Sequence, residues 1–286
     1  MKVTYYPGCS LEGTARDYAD SIEAICGFLG IHLEEVPDWN CCGATAAHSV
    51  DHKASVELAA RNLNQASILP NEDLLVPCPL CFNRLRAASW ALEHEEGGRY
   101  SFRLQPGIPM IWDLANFFGT ESMLKELSLK VKKPLNGLKV VCYYGCMASR
   151  PPRVTGSRDH ENPQSMDRIV KALGATSLHW PYKTDCCGAS LMLSRPDMGY
   201  RMVGKLYDMA QRMGAEAIVV SCQMCQSNLD MYQERIEAEW GRKFAPPIFY
   251  FTELMGLALG MLEVPSWLSR HFADPRPLLE RKGLLP

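Results

Sequence analysis

The sequence predicts an α/β protein made of two pseudo-symmetric duplicated domains, each a small parallel sheet flanked by helices, with clusters of cysteines at the carboxyl ends of the strands. Three observations predict it. Short apolar runs of strand character alternate with amphipathic helical stretches. The alternation repeats at an offset of about 140 residues, too long for a solenoid unit and right for a duplicated domain. Ten of the twelve cysteines occupy matching places in the two repeats.

In the first half, Val3–Tyr6 reads as a strand, Thr14–Leu29 as a helix closed by Gly30, and His32–Val36 as a second strand. Ala54–Gln65 then reads as helix, Leu74–Val76 as strand and Phe82–Glu93 as helix. The second half repeats the order with Lys139–Tyr144, Met166–Leu173 closed by Gly174, Ser177–Trp180, Met198–Arg212 before Gly214, Ala217–Val220 and Ser227–Trp240. Pro109-Met110-Ile111-Trp112-Asp113-Leu114 resembles the run from Pro247 to Leu254, and the apolar stretch Pro247 to Val264 reads as a buried strand and helix. These readings divide the chain into an N-terminal domain at 1–123, a linker at 124–137, a C-terminal domain at 138–262 and a tail at 263–286. The linker is lysine-rich, a linker or surface helix, and the proline-containing 149–163 reads as a loop inserted in the second half. The tail shows no periodic apolar face and is expected to pack on its own chain or on a partner.

The cysteines are spaced Cys9-x31-Cys41-Cys42-x35-Cys78-x2-Cys81 and again Cys146-x39-Cys186-Cys187-x34-Cys222-x2-Cys225. Gly-Ala follows the vicinal pair both times. In open parallel sheets the loops leaving the carboxyl ends of the strands converge on one crevice, so three separated segments per half would assemble five thiols. A chain of 286 residues at 47% apolar content buries a core without disulfide staples. Met1-Lys2-Val3 leads directly into a strand with no signal-peptide pattern, so the expectation is a cytoplasmic protein with reduced, metal-binding or redox cysteines. No membrane span is predicted. A formal net charge of −2 and the lack of basic runs speak against a nucleic-acid partner.

Five thiols exceed the four that tetrahedral zinc takes, and adjacent cysteines on an extended backbone point apart, which suits a cluster of several irons better than one ion. Zinc stays open on these grounds. Disulfides require specific Cα separations and a strained vicinal bridge, and thioredoxin-like dithiol chemistry would use only the two C-x2-C pairs. Cys26, on an apolar helix, and Cys142, inside a strand, read as core residues.

The duplicated pattern, with glycine after each vicinal pair, resembles the cysteine-rich CCG domain, and a chain of two such domains is similar to the B subunits of heterodisulfide reductases. The resemblance implies two noncubane iron–sulfur clusters of the 4Fe-4S type, one held by Cys9, Cys41, Cys42, Cys78 and Cys81 and the other by Cys146, Cys186, Cys187, Cys222 and Cys225. It implies a catalytic role in reducing a disulfide, the mixed disulfide of coenzymes M and B or a related one, to two thiols, with Cys42 and Cys187 at the reacting centres. It further implies two partners of a heterodisulfide reductase-type complex, one ferredoxin-like and one flavin-bearing and often bifurcating, with hydrogenase or formate dehydrogenase modules attached through the flavin-bearing one. The chain itself carries neither a ferredoxin cysteine run nor a dinucleotide fingerprint, so electrons must come from other subunits. CCG domains also occur in electron-transfer proteins that link flavoproteins to quinone or another acceptor, and that is the competing reading.

Other residues carry weaker signals. Gly43 and Gly188 are expected to let the backbone approach the cofactor or adopt positive φ, and Gly8 and Gly145 to do the same before the lone cysteines. Arg84, Arg86, Arg150 and Arg153 are placed to meet anionic groups of a substrate, or are solvated charges. His48 is a proton donor to a departing thiolate or a packing histidine, and its counterpart in the repeat is the apolar Leu193. Lys183 and Asp185 would tune the second cluster, and Pro79 against Gln223 inside the two C-x2-C pairs predicts unequal surroundings.

Overall fold

Two four-stranded sheets, parallel throughout, repeat one strand order in a computed structural model that describes all residues except 95–97, 245 and 286. The first contains β1 (Lys2–Tyr5), β2 (His32–Glu35), β3 (Asp73–Val76) and β4 (Met110–Asp113), in the order β2-β1-β3-β4. The second contains β5 (Lys139–Tyr143), β6 (Thr176–Ser177), β7 (Ala217–Val220) and β8 (Ile248–Tyr250), in the order β6-β5-β7-β8. Parallel strands covered on both faces read as continuous apolar runs, and every residue of β7 and β8 is buried.

Each sheet thus gains a fourth strand. β8 lies within the stretch read as a buried strand and helix, while β4 is new, although its kinship to β8 is visible in the sequence. Asp113 caps the helix Leu114–Phe118 through backbone N–H groups of Ala115 and Asn116, and that cap converts the end of β4 into a helix start. The strand expected at Ser177–Trp180 shortens to Thr176–Ser177 because the chain leaves the sheet to bury Trp180, whose Nε1 donates to the Cys142 carbonyl at 2.9 Å. The helix expected over Ser227–Trp240 is two helices, Gln223–Asp230 and Gln233–Trp240. At their junction the Asp230 carboxylate turns to accept the backbone N–H groups of Phe272 and Ala273.

The lysine-rich segment at 124–137 is no free tether. It shares the helix Glu121–Lys130, and Leu127 and Leu135 are fully buried. Lys132 and Lys133 donate backbone N–H groups to the Ala258 carbonyl. The 149–163 insertion holds a short helix, Pro152–Thr155. The tail packs on its own chain through two short helices, Val264–Leu268 and Arg276–Arg281, that bury Trp267, Leu268, Leu278 and Leu279.

One apolar core runs through both halves. Its seam is the helix Arg16–Phe28 of the first half against the helix Phe251–Leu259 of the second. Tyr18 stacks on Tyr250 with centroids 4.1 Å apart and planes 5° apart, and donates its hydroxyl to the Ser221 carbonyl at 3.0 Å. Ser21 and Thr252 share a buried hydroxyl hydrogen bond of 2.7 Å. Aromatic stacking beyond simple area burial contributes about 1 kcal/mol, so this seam fixes how the halves face each other.

Candidate metal centres

Each sheet brings its five cysteines to the carboxyl ends of its first three strands. In the first set Cys42, Cys78 and Cys81 are buried while Cys9 and Cys41 are exposed. The second set repeats this with Cys187, Cys222 and Cys225 buried, Cys186 exposed and Cys146 half-buried. None of these thiols is in a disulfide. The sulfurs of Cys42 and Cys81 are 3.3 Å apart, those of Cys9 and Cys41 3.9 Å, and those of Cys187 and Cys225 3.6 Å.

Those spacings match the edge of a tetrahedron of thiolates around a metal, about 3.8 Å for metal–sulfur bonds of about 2.3 Å. Yet among the described residues no three cysteine sulfurs lie mutually within 4.8 Å; the one such group of potential ligand atoms is Asp17, Glu253 and His271. The thiols pair locally within each set, and five of them exceed the four that one tetrahedral ion takes, which suits a cofactor with several metal atoms.

Glycine makes room for the sulfur. Gly8 and Gly145 hold φ of 73° and 66°, and a Cβ at either would stand 3.0 Å from the Sγ of Cys81 or Cys225. Positive φ and the close approach both exclude a side chain there. Gly43 and Gly188 also adopt positive φ, so the chain turns immediately after each vicinal pair.

Two residues to which the sequence assigned no role pin the vicinal pairs. Tyr6, at the end of the first strand, donates its hydroxyl to the Asn40 carbonyl at 2.7 Å, and Tyr143 donates to the Asp185 carbonyl at 2.7 Å. Each anchors the residue just before its Cys-Cys. Burial first, then the charges of the surrounding cysteines, push both phenols far above their ordinary pKa. The signal was in the sequence, because both tyrosines stand three residues before a lone cysteine in the repeat.

Electrostatics favour thiolate at Cys42 in the first set, where the hydrogen bond to Cys42 pushes the Cys41 thiol up, and at both Cys186 and Cys187 in the second. Hydrogen bonds from Cys41 and Cys81, outweighing burial, lower the Cys42 pKa to about 4. A bond from Cys146 lowers Cys186 to about 6, and one from Cys225 lowers Cys187. Cys26 is a core residue, its thiol pushed up to about 12 by burial, and burial likewise raises Cys142.

The buried ends of the two sets meet. Gln223, inside the second C-x2-C, is 2% exposed and donates Nε2–H to the Sγ of Cys78 in the first at 2.8 Å. His48 and Arg84 also come together, with Arg84 Nη1 2.9 Å from His48 Nδ1. Arg150 does not join them. It is held by Glu161 and by the Thr184 hydroxyl at 3.0 Å. Arg86 turns to the Val154 carbonyl at 3.0 Å, and Lys183 forms a buried pair with Asp167 at 2.9 Å that also receives the Tyr144 hydroxyl.

Among the described residues no helix is long and apolar enough to cross a membrane. A protein-family model described as "Cysteine-rich domain" matches residues 3–86 and 140–230. Over 284 residues the chain is 34% identical to the 8-methylmenaquinol:fumarate reductase membrane anchor subunit of Wolinella succinogenes, covering 96% of this chain and 98% of that one. It is 26% identical to the B subunit of the ferredoxin:CoB-CoM heterodisulfide reductase of Methanosarcina mazei, covering 91% and 89%. It is 27% identical to a protein of Archaeoglobus profundus that is itself like the B subunits of heterodisulfide reductases, covering 91% of each. A crystal structure of a hypothetical protein from Helicobacter pylori shares the fold, with a TM-score of 0.74 at 12% identity over 95% of this chain and 52% of that one. With two matched regions, a duplicated sheet and ten clustered thiols, the chain belongs to the cysteine-rich CCG family and is similar to the B subunits of heterodisulfide reductases.

Proposed function

We propose that this chain is an iron–sulfur electron-transfer subunit connecting a quinol to a flavin-bearing oxidoreductase partner, with one noncubane cluster in each cysteine set. The observation that carries this reading is the Gln223–Cys78 contact. The buried cysteines of the two sets lie back to back, joined by a hydrogen bond and the packed Tyr18–Tyr250 pair, while Cys9 and Cys41 on one side and Cys186 on the other reach the surface. That layout gives each set an exposed thiol and buries the contact between the sets, as a relay between two partners requires. Bound clusters supply one-electron oxidation and reduction. The chain's residues hold them with ten thiolates, shield the interior from water and tune each set through its hydrogen bonds. The higher identity to the Wolinella protein than to the heterodisulfide reductase relatives supports a quinol-side role.

A second reading is disulfide reduction with ferredoxin-like and flavin-bearing partners. Completeness of both cysteine sets favours it, as does similarity to the B subunits of heterodisulfide reductases. The two separate in an anaerobic assay of the complex purified with its partners. Under the first reading, reduced menaquinone analogues reduce the iron–sulfur signals and drive turnover of the flavoprotein's acceptor, while disulfides give no thiol. Thiol release from a disulfide with viologen as donor, without any response to quinol, would install the second reading instead.

A further inference from the structure

Beside the first cysteine set lies an open cavity of about 450 Å³ lined by several basic side chains. It is walled by the helices His52–Ala66 and Pro79–Glu93 and closed by Pro151, Arg153 and Val154 of the insertion in the second half. Its lining includes Arg84, Arg99, Arg153, His48, His52 and His94, and no aspartate or glutamate among the described residues. The volume falls within the range of small-molecule sites.

Among the described residues, half of the arginines hold a carboxylate partner, and those lining the cavity belong to the other half. Among the described residues no carboxylate pairs with Arg84, Arg99 or Arg153, whereas Arg61, Arg150, Arg201, Arg242 and Arg270 all hold one. Arg84 hydrogen-bonds only neutral groups, His48 Nδ1 at 2.9 Å and Asn83 Oδ1 at 2.8 Å, its buried Nε has no acceptor, and the charge near it is the Cys42 thiolate of the first set. The Arg153 guanidinium lies 5.4 Å over the Trp90 ring, which stacks on His94 with centroids 4.7 Å apart. Aromatic support of this kind holds a guanidinium in place while leaving its N–H fork free for a planar or tetrahedral anion.

The duplication supplies an internal control. In the second half the position of Arg84 is Asn228, which donates to the Cys187 carbonyl at 2.7 Å, and the position of His48 is Leu193, fully exposed. One half thus keeps the same cysteine framework without these charges, so holding a cofactor does not require them. The insertion that carries Arg153 is likewise absent from the first half. We propose that this cavity binds a small dianion, a molecule bearing carboxylate, phosphate or sulfonate groups, directly beside the first cysteine set. Guanidinium groups concentrated in a concave site attract such a ligand before contact, and bidentate arginine bonds then hold it.

The test is calorimetry on the anaerobically purified, metal-loaded full chain, with inorganic phosphate and, separately, succinate as probes. A free inorganic anion site takes phosphate, while a site for organic acids prefers succinate. Expected is saturable binding at one site per chain by at least one probe, weakened about tenfold or more by R153Q and by R84Q, and unchanged by R201Q. Electron paramagnetic resonance should show the signal of the first set shifted by the bound probe and that of the second unmoved. If R84Q loses metal, R153Q, at an exposed position of the short helix Pro152–Thr155, decides the matter. Absence of saturable binding by either probe up to about 10 mM, or binding that R153Q leaves intact, overturns the proposal. The calorimetric arm stands whichever metal the cysteines hold.

Discussion

In the first half the residue after the leading cysteine of the C-x2-C is Pro79, which starts the helix Pro79–Glu93 and donates nothing; in the second half it is Gln223, whose amide crosses the seam to Cys78. The first set thereby gains a hydrogen bond that the second lacks. It also gains the positive charge of Arg84, with His48 against it, where the second half has Asn228 and Leu193. Duplication explains what the halves share, namely sheet order, anchoring tyrosines, positive-φ glycines and five thiols. Where they differ, the cofactor framework itself cannot be the reason. The differences therefore mark where the two centres acquire separate tasks, one of them beside a cationic cavity that the other lacks.

The largest effect should come from removing one set at a time. Cys42→Ser or Cys187→Ser takes away a buried thiolate that no neighbour replaces. Anaerobic iron and sulfide analysis should give about half the wild-type content for either variant, with the spectroscopic signature of only one set lost and electron transfer abolished. A variant that lost all metal would show the sets to be one cooperative unit and break the comparison.

Next in size is the tail, which packs against the helix Arg16–Phe28 of the first half and the helix Phe251–Leu259 of the second. His271 Nε2 lies 2.8 Å from Glu253 Oε1 and 4.0 Å from Asp17 Oδ2, all at buried positions. Burial acts to lower the His271 pKa, but Glu253, Asp230 and Asp17 outweigh it and hold it up at about 9. A histidine raised in the folded state contributes stability that is complete below its unfolded pKa of about 6.5 and fades as pH rises through about 9. His271→Ala leaves Glu253 buried without its cation and should cost about 3 kcal/mol at pH 6. Denaturant titrations at pH 6 and pH 9.5 check it: the gap between variant and wild type should narrow at the higher pH.

Much of this was legible in the sequence because it rests on local chemistry. Apolar runs show three strands of the first sheet and four of the second, and cysteine spacing shows the two sets and their place at the strand ends. β4 was harder to read, since Met110-Ile111-Trp112-Asp113 is four residues long and its outer face is exposed at Met110; pairing with β3 makes it a strand. The tail escaped for a related reason. Its order comes from long-range contacts, His271 to Glu253 and the backbone of Phe272 and Ala273 to Asp230, which no periodicity announces. Gln223 was noticed as a difference from Pro79, but its partner lies 145 residues away and only the folded seam reveals it. The cavity is half visible: Arg84 and Arg153 follow cysteines in sequence, whereas His94 ends the helix Pro79–Glu93 and Arg99 lies in irregular chain beyond it.

A smaller effect should follow from cutting the bridge between the sets. The Gln223 amide stabilises negative charge on Cys78 Sγ, and such a bond favours the more reduced, more negative state of whatever that thiolate ligates. Gln223→Leu keeps the volume and removes the donor. The reduction potential associated with the first set should fall by on the order of 60 mV, the one-electron equivalent of about 1.4 kcal/mol, while that of the second changes less. A spectroscopic redox titration measures both at once. Equal shifts would mean that the residue acts through general packing of the seam and not through its hydrogen bond.

The smallest predicted effect compares the acids that start the helix after the last strand of each sheet. Asp113 caps the helix Leu114–Phe118 with Oδ1 while its buried Oδ2 has no partner; Glu253 caps the helix Phe251–Leu259 through the Tyr250 N–H and is paired with His271. Burial pushes the Asp113 pKa up to about 6, partly opposed by the backbone N–H groups of Asn116 and Ala115. For an acid raised in the folded state, the contribution to stability is complete below the unfolded pKa of about 3.9 and is lost as pH rises through about 6. Asp113→Asn retains a good capping oxygen and never ionises. It should therefore match wild type near pH 4 and exceed it by about 1 kcal/mol at pH 7, read from urea midpoints at the two pH values. The reverse order at pH 7 would show that the charge itself holds the cap, and that the first half, like the second, depends on an ionised acid at this position.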